Sequence, residues 1–126
     1  MEEALRTLLR GNAAVAALVG SRVDWGMRPQ GSGLPAICLT TISDAPVSHS
    51  LDGPGVSRAR VQVDCFGATY GSAKDAARAV RRLLDTYSGG IFLGVFLAGA
   101  RDLPDDDGVS TIHAVSMDFF VNYHFN

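Results

Sequence analysis

Asp105, Asp106, Asp107 and Gly108 set three carboxylates in a row ahead of a glycine. Oxygen donors at that density suggest calcium. A calcium loop, however, spaces its ligands over about twelve residues and closes with a bidentate glutamate. Here the acids are consecutive and no glutamate follows, so the run reads as a solvated turn. His49, His113 and His124 could serve as ligands or bases, but their spacing is neither HxxxH nor HExxH. They read as surface or strand-face histidines. Cys38 and Cys65 form no CxxC pair for zinc or redox work, and two thiols in a reducing compartment behave as small buried hydrophobes. No GxSxG elbow marks a nucleophile. Nothing singles out a glycosidase-type pair among thirteen acids. Gly31-Ser32-Gly33 leads into Leu34-Pro35 rather than a helix start, and Gly89-Gly90 follows a helical stretch instead of preceding one. Neither is placed to cradle a phosphate. The expectation is a non-enzyme with no cofactor and no metal.

Charge points the same way. The net charge is -2, whereas non-specific nucleic-acid binding needs a basic surface. Arg78, Arg81 and Arg82 make a local basic helix edge. A solvated face is the default reading, with contact to an acidic protein or to passing DNA as the alternative. Met1 is followed by Glu2 and Glu3, the opposite of a basic signal-peptide start. The longest apolar stretch, residues 91–100, is too short to cross a bilayer as a helix. A chain made in the cytoplasm, with no membrane partner, is expected. At 126 residues with 47% hydrophobic and 19% charged content, one packed domain covering residues 1–126 is expected, not disorder.

Local patterns predict the elements. Residues 2–9 carry Leu5, Leu8 and Leu9 at helical spacing behind acids in the first turn. Gly11 stops that helix, and Asn12 caps a second over 13–19, ended by Gly20. Short strands follow at 23–27 and 36–43, then a loop at 44–56 that carries Pro46, Gly53, Pro54 and Gly55. Residues 57–66 give the cleanest strand: Ala59, Val61, Val63 and Cys65 alternate with Arg58, Arg60, Gln62 and Asp64. Ser72 and Asp75 resemble a capping box for a helix running to about Tyr87. Its apolar stripe includes Ala73, Ala76, Ala77, Val80, Leu83 and Leu84. Residues 91–99 are apolar on both sides and predict a strand covered on both faces. Residues 103–108 read as a turn. A last strand over 109–125 puts Val115, Met117, Phe119, Val121, Tyr123 and Phe125 on one face, with Ala114, Ser116, Asp118, Phe120, Asn122 and His124 on the other. The predicted fold is α+β, a mostly antiparallel sheet of about five strands with one long helix and short N-terminal helices on one face.

Several of these segments, taken in order, resemble the tail completion proteins of long-tailed phages. They are the leucine-rich first helix and the alanine-rich second ending in Val19-Gly20, then Ser21-Arg22-Val23 and Leu34-Pro35-Ala36-Ile37. Next come Arg60-Val61-Gln62-Val63-Asp64-Cys65-Phe66, Thr69-Tyr70, the Ala79-Val80 helix and Met117-Asp118-Phe119. The resemblance covers nearly the whole chain. It implies a small α+β subunit that assembles as a ring, usually a hexamer, at the head-proximal end of the tail tube. There it ends tube polymerisation and meets the connector or stopper proteins of the head. Similar genes occur in prophages and in gene transfer particles.

The implied partners are copies of the chain itself, the tail tube protein and a head-tail connector or stopper protein, with DNA only passing through the lumen. Exposed strand edges and the 44–56 loop are the means by which such subunits could join. The charged side of the central strand, Arg58, Arg60, Gln62 and Asp64, is the expected subunit or tube contact or lumen lining. His49 and Asp52 in the loop are expected contacts as well. Competing readings are a head-tail stopper or neck adaptor, an unrelated α+β binding module, and a small enzyme without a recognisable motif.

Overall fold

The structure, a computed structural model, describes residues 1–27, 33–48, 55–103 and 112–125. Helix α1 (Glu2–Gly11) has Glu2 and Glu3 in its first turn and Arg10 in its last, which suits the helix dipole, and it buries Leu5 and Leu9. It runs through Gly11, the residue expected to stop it. Asn12 then accepts from the Val15 backbone N–H and caps α2 (Ala13–Val19) as expected. Gly20 closes α2 at φ 60.

Strand β1 (Val23–Trp25) is followed by β2 (Ala36–Ser48), β3 (Gly55–Gly67), α3 (Tyr70–Leu84), β4 (Tyr87–Gly89), β5 (Phe92–Leu103) and β6 (His113–Phe125). They form one sheet in the order β1-β2-β3-β6-β5-β4. Among the described residues the sheet has six strands where about five were expected. It is antiparallel except for the β1–β2 pair, which is parallel. The α+β class holds.

β2 corrects the expected loop at 44–56. Bulges between Thr41 and Ser43 and between Pro46 and Ser48 reset the register, so β2 keeps pairing with β3 as far as Ser48. Pro46 is tolerated because β2 beyond Leu39 is an edge strand. What remains of the expected loop, residues 49–54 with His49 and Asp52, lies outside the described residues. So do 104–111, which hold the Asp105-Asp106-Asp107 run and the expected start of the last strand.

The start of α3 is a second correction. Its N-cap is Thr69, not Ser72. Thr69 Oγ1 accepts from Ser72 N–H at 3.1 Å and Ser72 Oγ accepts from Thr69 N–H at 3.2 Å. Serine at the third helical position thus completes the box one turn earlier, and Asp75 pairs with Arg78 at 3.5 Å instead. The helix also ends sooner, at Leu84. Thr86 takes φ 66 and donates to the Val95 carbonyl at 2.7 Å, while Asp85 accepts from Leu97 N–H at 3.1 Å. β5 captures the chain there, and Tyr87 starts a strand.

The third correction concerns β5. Its Phe92 and Val95 face the core, but Leu93 and Phe96 are exposed, at 47% and 48%. It is covered on one face, because all three helices pack on the same side of the sheet. There Ala59, Val61, Val63 and Cys65 of β3 meet Val80 and Leu84 of α3, and β6 adds Val115, Met117, Phe119 and Val121. This is the facing that the two alternating patterns predicted. Both cysteines are buried and free. Burial, reinforced by the Asp64 carboxylate, pushes the Cys65 thiol up to about 12.

Candidate interaction surface

Alternation along β3 turns Arg58, Arg60, Gln62 and Asp64 away from the helices, onto a sheet face that no helix covers among the described residues. The β3–β6 register then selects their neighbours. Arg58 lies opposite Asn122, Arg60 opposite Phe120, Gln62 opposite Asp118 and Asp64 opposite Ser116. Arg58 Nε donates to Asn122 Oδ1 at 3.1 Å, and its guanidinium sits 5.3 Å from the Phe120 ring centroid. Arg60 donates to Asp118 Oδ2 at 2.9 Å. Arg101 of β5 approaches the same oxygen at 3.5 Å. Gln62 Nε2 donates to both carboxylate oxygens of Asp64, at 3.2 and 3.1 Å.

Asp118 is the hub of this face. Its side chain is 10% exposed, against 46% for Arg60 and 51% for Arg101. Two half-exposed guanidiniums therefore share one nearly buried carboxylate. Below them Ser116 Oγ is buried with no hydrogen-bond partner among the described residues. Phe96 and Phe120 stand opposite one another on β5 and β6, giving the face an aromatic end.

Four of the six residues expected as contacts thus share one surface; His49 and Asp52 fall outside the described residues. Asp118, Arg101, Phe96 and Phe120 were not expected there. For Asp118 and Phe120 the signal existed, since alternation along β6 put them on the face opposite Phe119. Arg101 carried none, because the strand was expected to end at Gly99.

Two further polar clusters hold elements together. At the end of β2, Asp44 accepts from Ser57 Oγ and from the Tyr123 hydroxyl, residues far apart in sequence. Burial first, and the Asp44 hydrogen bond second, hold the Tyr123 hydroxyl above its ordinary value. A raised phenol favours the folded state below about pH 10, and that contribution is lost as pH climbs past the unfolded value. Alkaline titration of phenolate absorbance is expected to show a late component, and Asp44→Asn should bring it earlier. The other cluster ties α3 to β5. Lys74 Nζ lies 2.7 Å from Asp102, and the Tyr70 hydroxyl donates to Asp102 at 2.8 Å. Lys74, hydrogen-bonded to the Asp102 carboxylate, is raised, and Asp102 is correspondingly lowered.

His113 packs edge-on against Tyr70 at 6.5 Å and His124 is exposed. Among the described residues no three His, Cys, Asp or Glu side chains converge as metal ligands. No helix there is long and apolar enough to cross a membrane. The grooves are open, such as one of about 500 Å³ between α1 and the β4–β5 turn, lined by Ala4, Leu8, Tyr87 and Ile91. Among the described residues a polar, arginine-bearing sheet face lies on the side of the sheet away from the helices.

This chain belongs to the tail completion protein gp17 family, whose model matches residues 3–121. Comparison with curated proteins gives no match. Among solved structures, a chain described as "Virion of native gene transfer agent (GTA) particle" shares the fold. Its TM-score is 0.67, with 20% identity, over 94% of this chain and 90% of that one.

Proposed function

We propose that the chain acts as a single tail completion domain over residues 1–126. In this reading it is a structural virion protein that forms a ring, hexameric, on the head-proximal end of the tail tube. The ring ends tube polymerisation and joins the tail to the head connector or stopper protein. The observation that carries this reading is the family match across nearly the whole chain. The fold shared with a chain of a gene transfer agent virion supports it, as does the polar, arginine-bearing sheet face described above. The subunit is made in the bacterial cytoplasm and ends at the head–tail junction. Its net charge of -2 lets DNA pass without being gripped.

Electron microscopy of particles from a strain lacking this gene tests the proposal. Overlong tails, or free tails without heads, are expected. Full heads leaking DNA would assign the chain to a stopper instead.

Arg58, Arg60, Gln62 and Asp64, with His49 and Asp52, are the proposed contacts to a neighbouring subunit or the tube, or the lumen lining. Arg60→Glu sets a second acid beside Asp118. Because Arg60 is half exposed, thermal stability should fall by only about 1 kcal/mol. Incorporation into particles should fall far more. Wild-type incorporation in Arg60→Glu particles, measured by immunoblot, would remove this face from the contacts.

The exposed large apolar side chains sit on separate segments: Met27, Ile42 and Val47, Tyr70, and Ile91, Leu93 and Phe96. Among the described residues they form no single stripe of the size that stabilises obligate oligomers. Sedimentation of the purified subunit at micromolar concentration is expected to show monomers or small mixed species. A hexamer that survives dilution to nanomolar concentration would refute a ring that closes only on the finished tube.

A further inference from the structure

Among the described residues the sheet is left with two free half-edges, and they are complementary. β1 covers β2 only at Ile37, Cys38 and Leu39. Beyond that, residues 41–47 are all exposed and pair on one side only, with β3. At the other end of the sheet, β4 covers β5 between Phe92 and Val95. Residues 98–103 then pair only with β6, and residues 98–102 are exposed. No backbone hydrogen bond to another described element meets either half-edge. Pro46, which has no N–H to give, limits the usable part of β2 to residues 41–45. At ~3.4 Å per residue the two stretches span about 17 and 20 Å.

We infer that residues 41–45 of one subunit add as a strand to residues 98–103 of the next, so that the ring is closed by a continuous sheet. The inference rests on the ring reading above and names the surfaces that would make it. Three observations favour a second copy of this chain as the occupant. The first is direction. Each step from β2 through β3 and β6 to β5 is antiparallel, so β2 and β5 run oppositely. Copies related by an axis along the strands therefore bring β2 against β5 antiparallel, as in the rest of the sheet. The second is the offset. The free part of β2 lies level with Phe119 to Asn122 of β6, and the free part of β5 level with Ala114 to Asp118. That step averages about 15 Å across four strand spacings of about 4.8 Å. It corresponds to a tilt of about 40°, within the ~35–45° at which closed sheets lie. A stepped joint is what closure requires, and β1 and β4 fill the other half of each edge.

The third observation is charge. Asp44 is the charged residue of 41–47, whereas in 98–103 Asp102 is neutralised by Lys74, and Arg101 shares the Asp118 carboxylate with Arg60, which leaves one positive charge in excess. Like edges would oppose like charges, and unlike edges do not. A head-to-tail joint of two different surfaces is also the type that generates a ring. The bulges in both edges weaken pairing outside the intended register, in keeping with a ring that is weak off the tube.

Cysteine cross-linking in assembled particles tests the joint. Facing residues across an antiparallel pair have Cα separations of about 4.5–5.5 Å, inside the range a disulfide spans. Thr41→Cys or Ser43→Cys is combined with Ala98→Cys or Ala100→Cys, which samples the neighbouring registers. All four positions are exposed, and the native thiols are buried. Variant melting temperatures close to wild type establish that the subunits fold. Oxidation is expected to give a ladder of subunit multimers ending in a closed species for at least one double variant, and none for any single variant. Rings visible on tails with no ladder in any double variant would overturn the joint and leave the ring reading standing. Dimers from single variants would overturn it by showing like-edge pairing, and adducts with the tube protein would overturn the choice of partner. Wild-type tails without a ring at their end would overturn the ring reading itself, and this inference with it.

Discussion

Val63→Asp should destabilise the subunit by about 4 kcal/mol or more. Val63 is fully buried in the middle of β3 and packs in the core that α3 covers. Its cross-strand neighbours are Leu39 and Met117, both buried as well. Among the described residues no basic side chain is buried, so an aspartate there would be either ionised without a partner or forced to hold a proton. For a domain of this size the loss corresponds to a fall in melting temperature of about 15 °C, enough to unfold many mesophilic domains in the cell. Thermal melts followed by circular dichroism decide it. A Val63→Asp protein that melts with the wild type would mean that β3 does not face α3.

Phe119 and Phe120 provide the second large effect, because they are adjacent in sequence and opposed in space. Phe119 is fully buried, paired with Val61 on one side and Leu97 on the other. Phe119→Ala removes most of a ring from a packed interior and should cost about 3–5 kcal/mol. Phe120 lies on the open face, beneath the Arg58 guanidinium and opposite Phe96. Phe120→Ala loses a cation–π contact and some surface packing, together worth about 1 kcal/mol. Its main consequence should be poor incorporation into particles. Chemical denaturation separates the two on stability, and immunoblots of purified particles separate them on assembly. Equal stability losses would show that both sheet faces are covered. Normal incorporation of Phe120→Ala would show that the open face makes no contact there.

The contrast between these neighbours shows what was legible in the sequence. The period-two patterns of β3 and β6 assign each side chain to a face, since successive side chains on a strand must point oppositely. The 3.6-residue stripe of α3 names the helix that covers the apolar face. The resemblance carried by the ordered segments led to the same family as the match over residues 3–121. Element ends were less legible. Asn12 was readable as a cap because its side chain acts within its own turn. Thr69 was not, because Ser72 with Asp75 three residues on matches the capping pattern, and only the extended conformation of Thr69 in the fold places the cap there.

Sequence by itself determined the class of this protein: α+β, with one apolar and one polar face on its central strands. Those properties follow from short-range periodicity and composition, which any register of the sheet preserves. Tertiary structure decided which residues meet. The pairing of Arg60 with Asp118, the approach of Arg101 to the same carboxylate and the contact of Asp44 with Tyr123 join residues many positions apart. Each depends on which strands are neighbours and on where bulges shift their register, and a shift of one residue would turn a strand's side chains to the other face. The same long-range choice ended α3 at Leu84, carried β2 past Pro46, and left half of β2 and half of β5 as open edges. An edge is a property of the finished sheet, because a strand is free only where no other segment has taken the place beside it.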